Sequence, residues 1–271
     1  MDGAGRTKEL NMEQDEFYLL NAFTGENAKG NPACVILLDD ISDTDRLHKL
    51  ARSFNQPATT FLKKRDVGYD VRWFAPDAEI PLCGHGTVAA TWLFTKILKQ
   101  SGPIEFHYAG GVITGSESGD QVVIEGEAIQ AEEQPIPEHV VKGFHGKAVG
   151  YWGSGEKNIV LLDSEESVRT MEPDWNALRG SRTFGYVITA QGSDYDCVSR
   201  VMLPYVSFLE DQATGSAHML LAPYWSKRLN KSRLDAFQAS ERGGHMICEV
   251  DNDRVRLLAT ADQIGHGIYH S

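Results

Sequence analysis

Cysteine and histidine exchange protons readily near neutral pH, and this chain sets Cys83 and His85 two positions apart, interleaved with Gly84 and Gly86. The turn that carries them begins at Ile80-Pro81-Leu82 and runs straight into Val88, Ala89, Ala90, Trp92, Leu93 and Phe94. Those residues cover every side of a period of about 3.6, which predicts a buried helix. The first-turn N–H groups of such a helix have no intrahelical partner. With glycines in front of them they suit a carboxylate or a developing negative charge. Cys83 and His85, both capable of proton transfer, sit at the mouth of that site.

A second stretch has the same form. Glu210-Asp211-Gln212-Ala213-Thr214-Gly215-Ser216-Ala217 leads from acid and glycine into Met219, Leu220, Leu221, Ala222, Tyr224 and Trp225. Two polar, glycine-bearing turns that each open an apolar helix predict two similar lobes, with both helix starts facing one cleft. Read in isolation, Asp211 is an acid favouring a helix dipole and Ser216 a cap. His218 sits in the apolar run and reads as a satisfied interior histidine, and Trp92, Tyr224 and Trp225 as core.

Composition narrows the rest. The 271 residues are 41% hydrophobic with a formal net charge of -12 and no basic run, which argues against nucleic acid as a partner. No stretch approaches the roughly 20 apolar residues that cross a bilayer, so no membrane partner is expected. Residues 1–15 are polar, lack an apolar signal core and read as a disordered tail. Cys34, Cys83, Cys197 and Cys248 are scattered without metal-ligand spacing, so reduced thiols in a cytoplasmic protein are expected and a metal is not.

The elements that must position these residues are mostly strands. Residues 16–22, 33–38, 59–62 and 69–74 read as strands, with Gly30-Asn31-Pro32 as a turn and Ser42 as the cap of a helix whose apolar face is Leu47, Leu50, Ala51 and Phe54. Ile104–Tyr108 and Gln121–Glu125 read as a hairpin. Residues 130–138, acidic and proline-bearing, read as a linker. Beyond it come strands at 158–162, 185–189 and 197–202, a helix at 164–169 and a late hairpin around 250–253. The class is α+β rather than a strict alternation. The first lobe spans 16–128, with 259–271 packing back on it, and the second lobe spans 129–258.

These motifs resemble the phenazine-biosynthesis F (PhzF-like) isomerase family. The resemblance rests on Phe23-Thr24 through Gly30-Asn31-Pro32-Ala33, on Cys83-Gly84-His85-Gly86-Thr87, on residues 210–218, on Leu221-Ala222-Pro223-Tyr224-Trp225 and on 238–244. It implies the diaminopimelate-epimerase-like fold, two pseudo-symmetric lobes each wrapping a barrel-like sheet round a central helix. It also implies cofactor-independent proton transfer on a small carboxylate, and a homodimer. Carried over by position, His85 and Asp211 match groups that move or hold protons. Gly84, Gly86 and Gly215 stand where backbone N–H groups meet the substrate carboxylate, and Ser216 where a serine anchors it.

Two departures matter. The family's glutamate base falls, in the segment ending Thr59-Thr60-Phe61, on Ala58, which cannot take a proton. Cys83 in turn is similar to the first thiol of proline racemases; at a helix start beside a histidine its thiolate is expected to be favoured. No second thiol faces it, so symmetric two-thiol racemisation is disfavoured. Three readings stay open: an isomerase or epimerase using Cys83, His85 and Asp211; a catalytically degenerate member that binds ligands or partners; and a lyase or hydratase using Cys83.

Overall fold

The computed structural model describes residues 14–270. In chain order the first part comprises β1 (Gln14–Thr24), β2 (Asn31–Leu37), α1 (Thr44–Phe54), β3 (Ala58–Lys64), β4 (Tyr69–Phe74), β5 (Glu79–Ile80), α2 (Gly84–Trp92), β6 (Ile104–Tyr108), β7 (Gly111–Ser118) and β8 (Gln121–Glu127). The second comprises β9 (Glu132–Glu133), α3 (Glu138–Gly143), β10 (Ala148–Gly153), β11 (Lys157–Leu162), α4 (Glu165–Thr170), α5 (Trp175–Leu178), β12 (Gly185–Gln191), β13 (Cys197–Met202), β14 (Glu210–Asp211), α6 (Gly215–Leu229), β15 (Arg233–Gln238), β16 (Gly244–Asp251) and β17 (Arg254–His270). None of the described helices is long and apolar enough to cross a membrane.

The strand pairings run twice through one scheme. In the first lobe β1–β2 is antiparallel, β2–β3 parallel, β3–β4 antiparallel and β4–β6 parallel across α2, and the meander β6–β7–β8 follows. In the second, β10–β11 is antiparallel, β11–β12 parallel, β12–β13 antiparallel and β13–β15 parallel across α6, and β15–β16–β17 follows. The long β17 pairs with β16 on one side and β8 on the other over Arg254–Leu258, and then pairs with β1 over Thr260–His270. This closes β1, β2, β3, β4, β6, β7, β8 and β17 into a barrel.

The β4–β6 and β13–β15 crossovers each thread a helix through their lobe, and such a helix must be apolar all round. From Gly84 to Thr91 every residue of α2 is buried. Its hydroxyls, and that of Thr95 in the turn that follows, are satisfied internally, since Thr87, Thr91 and Thr95 each donate to the carbonyl four residues earlier, at 2.7, 2.8 and 2.8 Å. In α6, Trp225 is 1% exposed and its Nε1 donates to Thr189 Oγ1 at 3.1 Å. Short strands β5 and β14 deliver the chain to the two helix starts. Each is pinned by a two-pronged ion pair, Arg72 to Glu79 at 2.8 and 2.7 Å and Arg200 to Glu210 at 2.8 and 2.8 Å.

Several local expectations are corrected. Asp43, not Ser42, caps α1, accepting from Arg46 N at 3.0 Å, while Ser42 turns back to Asp40. The expected hairpin of 104–108 with 121–125 is a three-stranded meander, because β7 lies between its arms. Asn31 begins β2 instead of forming the turn. Of the tail expected over 1–15, residues 1–13 lie outside the described residues, and Gln14 and Asp15 already pair with β17.

The helix starts meet backbone to backbone. A Cβ placed on Gly84 would lie 2.6 Å from Gly215 Cα, and one on Gly215 would lie 2.8 Å from Gly84 Cα. Glycine to alanine near a helix start ordinarily stabilises, by up to about 1 kcal/mol. Here it must push two backbones apart. Gly84→Ala and Gly215→Ala should each destabilise by about 1–3 kcal/mol, read as a lower urea midpoint at unchanged slope. A raised midpoint in either variant would contradict the contact.

Candidate active site

The two helix starts are built to one pattern. Their N-cap residues, Cys83 and Thr214, adopt φ −123°, ψ 101° and φ −123°, ψ 100°. Equal spacing from the pinned strands makes Gly84 the counterpart of Gly215, His85 of Ser216 and Ile80 of Asp211. Similar backbones thus carry different side chains, a thiol and an imidazole on one side and hydroxyls and a carboxylate on the other. All of them line one cavity of about 140 Å³.

On the first side, Cys83 Sγ accepts from the N–H of Gly86 at 3.4 Å and lies 3.4 Å from His85 Nδ1. Gly86, expected to offer its N–H to substrate, gives it to this sulfur. A side chain there would also strike Thr60 Oγ1 and Trp73. Cys83 is 3% and His85 5% exposed. Burial pushes the Cys83 thiol up to about 12 against the pull of the Gly86 amide, and the nearby Asp211 charge adds to the rise. The expected thiolate is therefore corrected. Dehydration outweighs the helix start, and the group is a thiol. Burial also lowers the pKa of His85 below its ordinary value, so this is a neutral imidazole; the Asp211 charge acts the other way and favours its protonated form.

On the second side, Asp211 Oδ1 accepts from Asn31 Nδ2 at 2.7 Å and Oδ2 from the Thr214 hydroxyl at 2.6 Å. Gln238, fully buried, caps α6 by accepting from Thr214 N at 2.8 Å and donates to the Asp211 carbonyl at 2.6 Å. Ser216 Oγ accepts from Lys157 Nζ at 3.3 Å. His218 stands away from this set, satisfied by the Thr214 carbonyl at 2.9 Å, and burial lowers its pKa to about 4. Ala58 is fully buried at the start of β3 beside Pro57, which lines the cavity.

Reading the sequence missed Lys157, Asn31 and the apolar walls contributed by Phe184, Leu203, Val206 and Phe208. Asn31 carried a signal in Gly30-Asn31-Pro32. A Cβ on Gly30 would lie 2.3 Å from the Ala22 carbonyl oxygen, so glycine lets the two strand ends close up behind Asn31. Across the mouth, Ser207 of the second lobe donates to Asp77 of the first at 3.0 Å.

The chain matches the model of a family described as phenazine biosynthesis-like protein over residues 20–265. A protein of Pseudomonas aeruginosa named as an uncharacterized isomerase is 34% identical over 255 residues, covering 94% of this chain and 98% of that one. The crystal structure of a PhzF-family phenazine biosynthesis protein from Enterococcus faecalis superposes with a TM-score of 0.89 at 32% identity, over 96% of this chain and all of that one. A predicted epimerase of Pseudomonas aeruginosa shares the fold, with a TM-score of 0.74 at 18% identity over 94% of this chain and 99% of the other.

Because all four cysteines are free and buried, and Cys83 keeps its proton, iodoacetamide at neutral pH should leave the native chain unlabelled. The urea-unfolded chain should take up four labels in the same interval. Rapid native labelling at Cys83, located by peptide mass spectrometry, would show a thiolate instead.

Proposed function

The chain belongs to the phenazine biosynthesis-like (PhzF) family, a family with isomerase members, and we propose that it is a cofactor-independent isomerase or epimerase that moves a proton on a small carboxylate. The observation that carries this reading is the convergence of two helix starts, at Gly84 and Gly215, on a cavity that also holds His85, Cys83 and Asp211. Carboxylate oxygens bound at these starts would gain charge as the neighbouring carbon loses its proton. Donors already fixed in place stabilise that charge without reorganising.

In this mechanism neutral His85 takes the proton and becomes an imidazolium, which the Asp211 charge favours. The Cys83 thiol returns a proton to the substrate and becomes a thiolate. Transfer across the Nδ1 to Sγ contact of 3.4 Å then restores both groups. Base and acid thus come from the first helix start, which supplies what Ala58 cannot. Thr214 occupies the place of a second thiol, so racemisation by two opposed cysteines is not part of the proposal.

The fully buried Ala58 also supports a second reading, a family member that binds carboxylates without turning them over. Incubation in heavy water with a panel of cyclic and unsaturated amino and carboxylic acids separates the two. We expect deuterium uptake into at least one compound, reduced about 10²–10⁴-fold in His85→Ala. Melting-point shifts with no exchange anywhere would leave only the binding protein.

The pH profile has a definite sign. Loss of the base follows protonation of His85, whose pKa lies below 6.5, so exchange should persist as pH falls through 6.5 and fail only below it. With the Cys83 thiol held to about 12, no loss from that group is expected on the alkaline side short of that pH. An acid limb at or above the ordinary histidine value would remove His85 as the base.

A further inference from the structure

Lys157 is a lysine that the mechanism above leaves unused, at the start of β11. Its chain is partly exposed, but its ammonium reaches the cavity, 3.3 Å from Ser216 Oγ and 5.2 Å from the centre of the Phe184 ring. Among the described residues no carboxylate lies within ion-pair distance of it, and Ser216 is its hydrogen-bond partner. Cationic lysines buried in protein are normally paired, since an unpaired one gives up hydration with nothing in return. Burial accordingly pulls this ammonium's pKa below its ordinary value, against the fields of the Glu156 and Asp211 carboxylates. In the first lobe the register places Ala33 opposite Ala58 as Lys157 stands opposite Gly185, so this charge exists on one side only.

The remaining walls are of two kinds. Ile80, Leu82, Phe184, Leu203, Val206 and Phe208 present hydrocarbon. The other charged lining residues are acids, Asp77, Asp211 and Glu79, the last already paired with Arg72. A second anionic group on a ligand would face those acids or an apolar wall, whereas a first one meets Lys157, Ser216 and the helix starts.

We propose that Lys157 is the counter-charge for the substrate carboxylate, and that the cleft selects monocarboxylates with an apolar body over dicarboxylates. The inference rests on the carboxylate reading of the site and adds the residue that supplies the charge and the class of molecule that fits. Lys157 positions the substrate and takes no proton.

Isothermal titration with phenylacetate, phenylacetamide and succinate tests it without turnover. Wild-type protein should bind phenylacetate, and bind the uncharged amide and the dicarboxylate about 30-fold more weakly or worse. Lys157→Met should weaken phenylacetate by about 30-fold while leaving phenylacetamide unchanged, and Lys157→Arg should retain most of the affinity. Equal phenylacetate binding by the Met variant, succinate binding as tight as phenylacetate, or no phenylacetate binding by wild type would each overturn the proposal. Should circular dichroism show the Met variant unfolded, the wild-type ratio of acid to amide decides alone. Carboxylate-selective binding through Lys157 with no deuterium exchange on any acid would sink the proton-transfer reading and leave this one standing.

Discussion

Everything at this site depends on two helix starts touching through glycine. A Cβ on either Gly84 or Gly215 would intrude on the other's backbone, so the pair fixes how deeply the two lobes interlock at the cleft. Each start carries roughly half an elementary positive charge from its aligned peptides. Bringing two together concentrates about one unit, the complement of a single carboxylate. The protein caps both starts with neutral acceptors, Cys83 Sγ on one and the Gln238 amide oxygen on the other.

Burial then decides the protonation states. A thiol and an imidazole removed from water both prefer their neutral forms, which makes one a proton donor and the other a proton acceptor. The same dehydration lowers the pKa of the Lys157 ammonium, and an arriving carboxylate would match its charge. Asp211 tolerates its position because two donors, Asn31 and Thr214, hold its oxygens. Donor, acceptor and positive field are thus set by shape and dehydration, with only Asp211 as a fixed charge against the imidazole.

How much of this was legible follows from which residues carry local signals. Both central helices, their facing starts and the doubled lobe were readable because an all-round apolar run behind a glycine turn has few other meanings. The family resemblance drawn from those motifs agrees with the match over residues 20–265. Strand β7 was missed because Gly111–Ser118 contains two glycines and two serines and scores poorly as a strand, yet it pairs on both sides. Ser42 and Asp43 are adjacent and equally able to cap, and only the geometry of the turn separates them. Lys157 sits in a polar run, Ser154-Gly155-Glu156-Lys157, which looks like any exposed turn. Phe184 and residues 203–208 reach the cleft from loops without periodicity. The thiolate expected for Cys83 failed for a different reason: sequence reveals the helix start but not the extent of dehydration around it.

The central claim is that both helix starts hold one carboxylate, and amide NMR tests it directly. On titration with phenylacetate, the backbone N–H signals of Gly84, Gly215 and Ser216 should move downfield together along one binding curve, with little change elsewhere. Shifts confined to one lobe, or displaced to residues outside the cleft, would contradict a shared site.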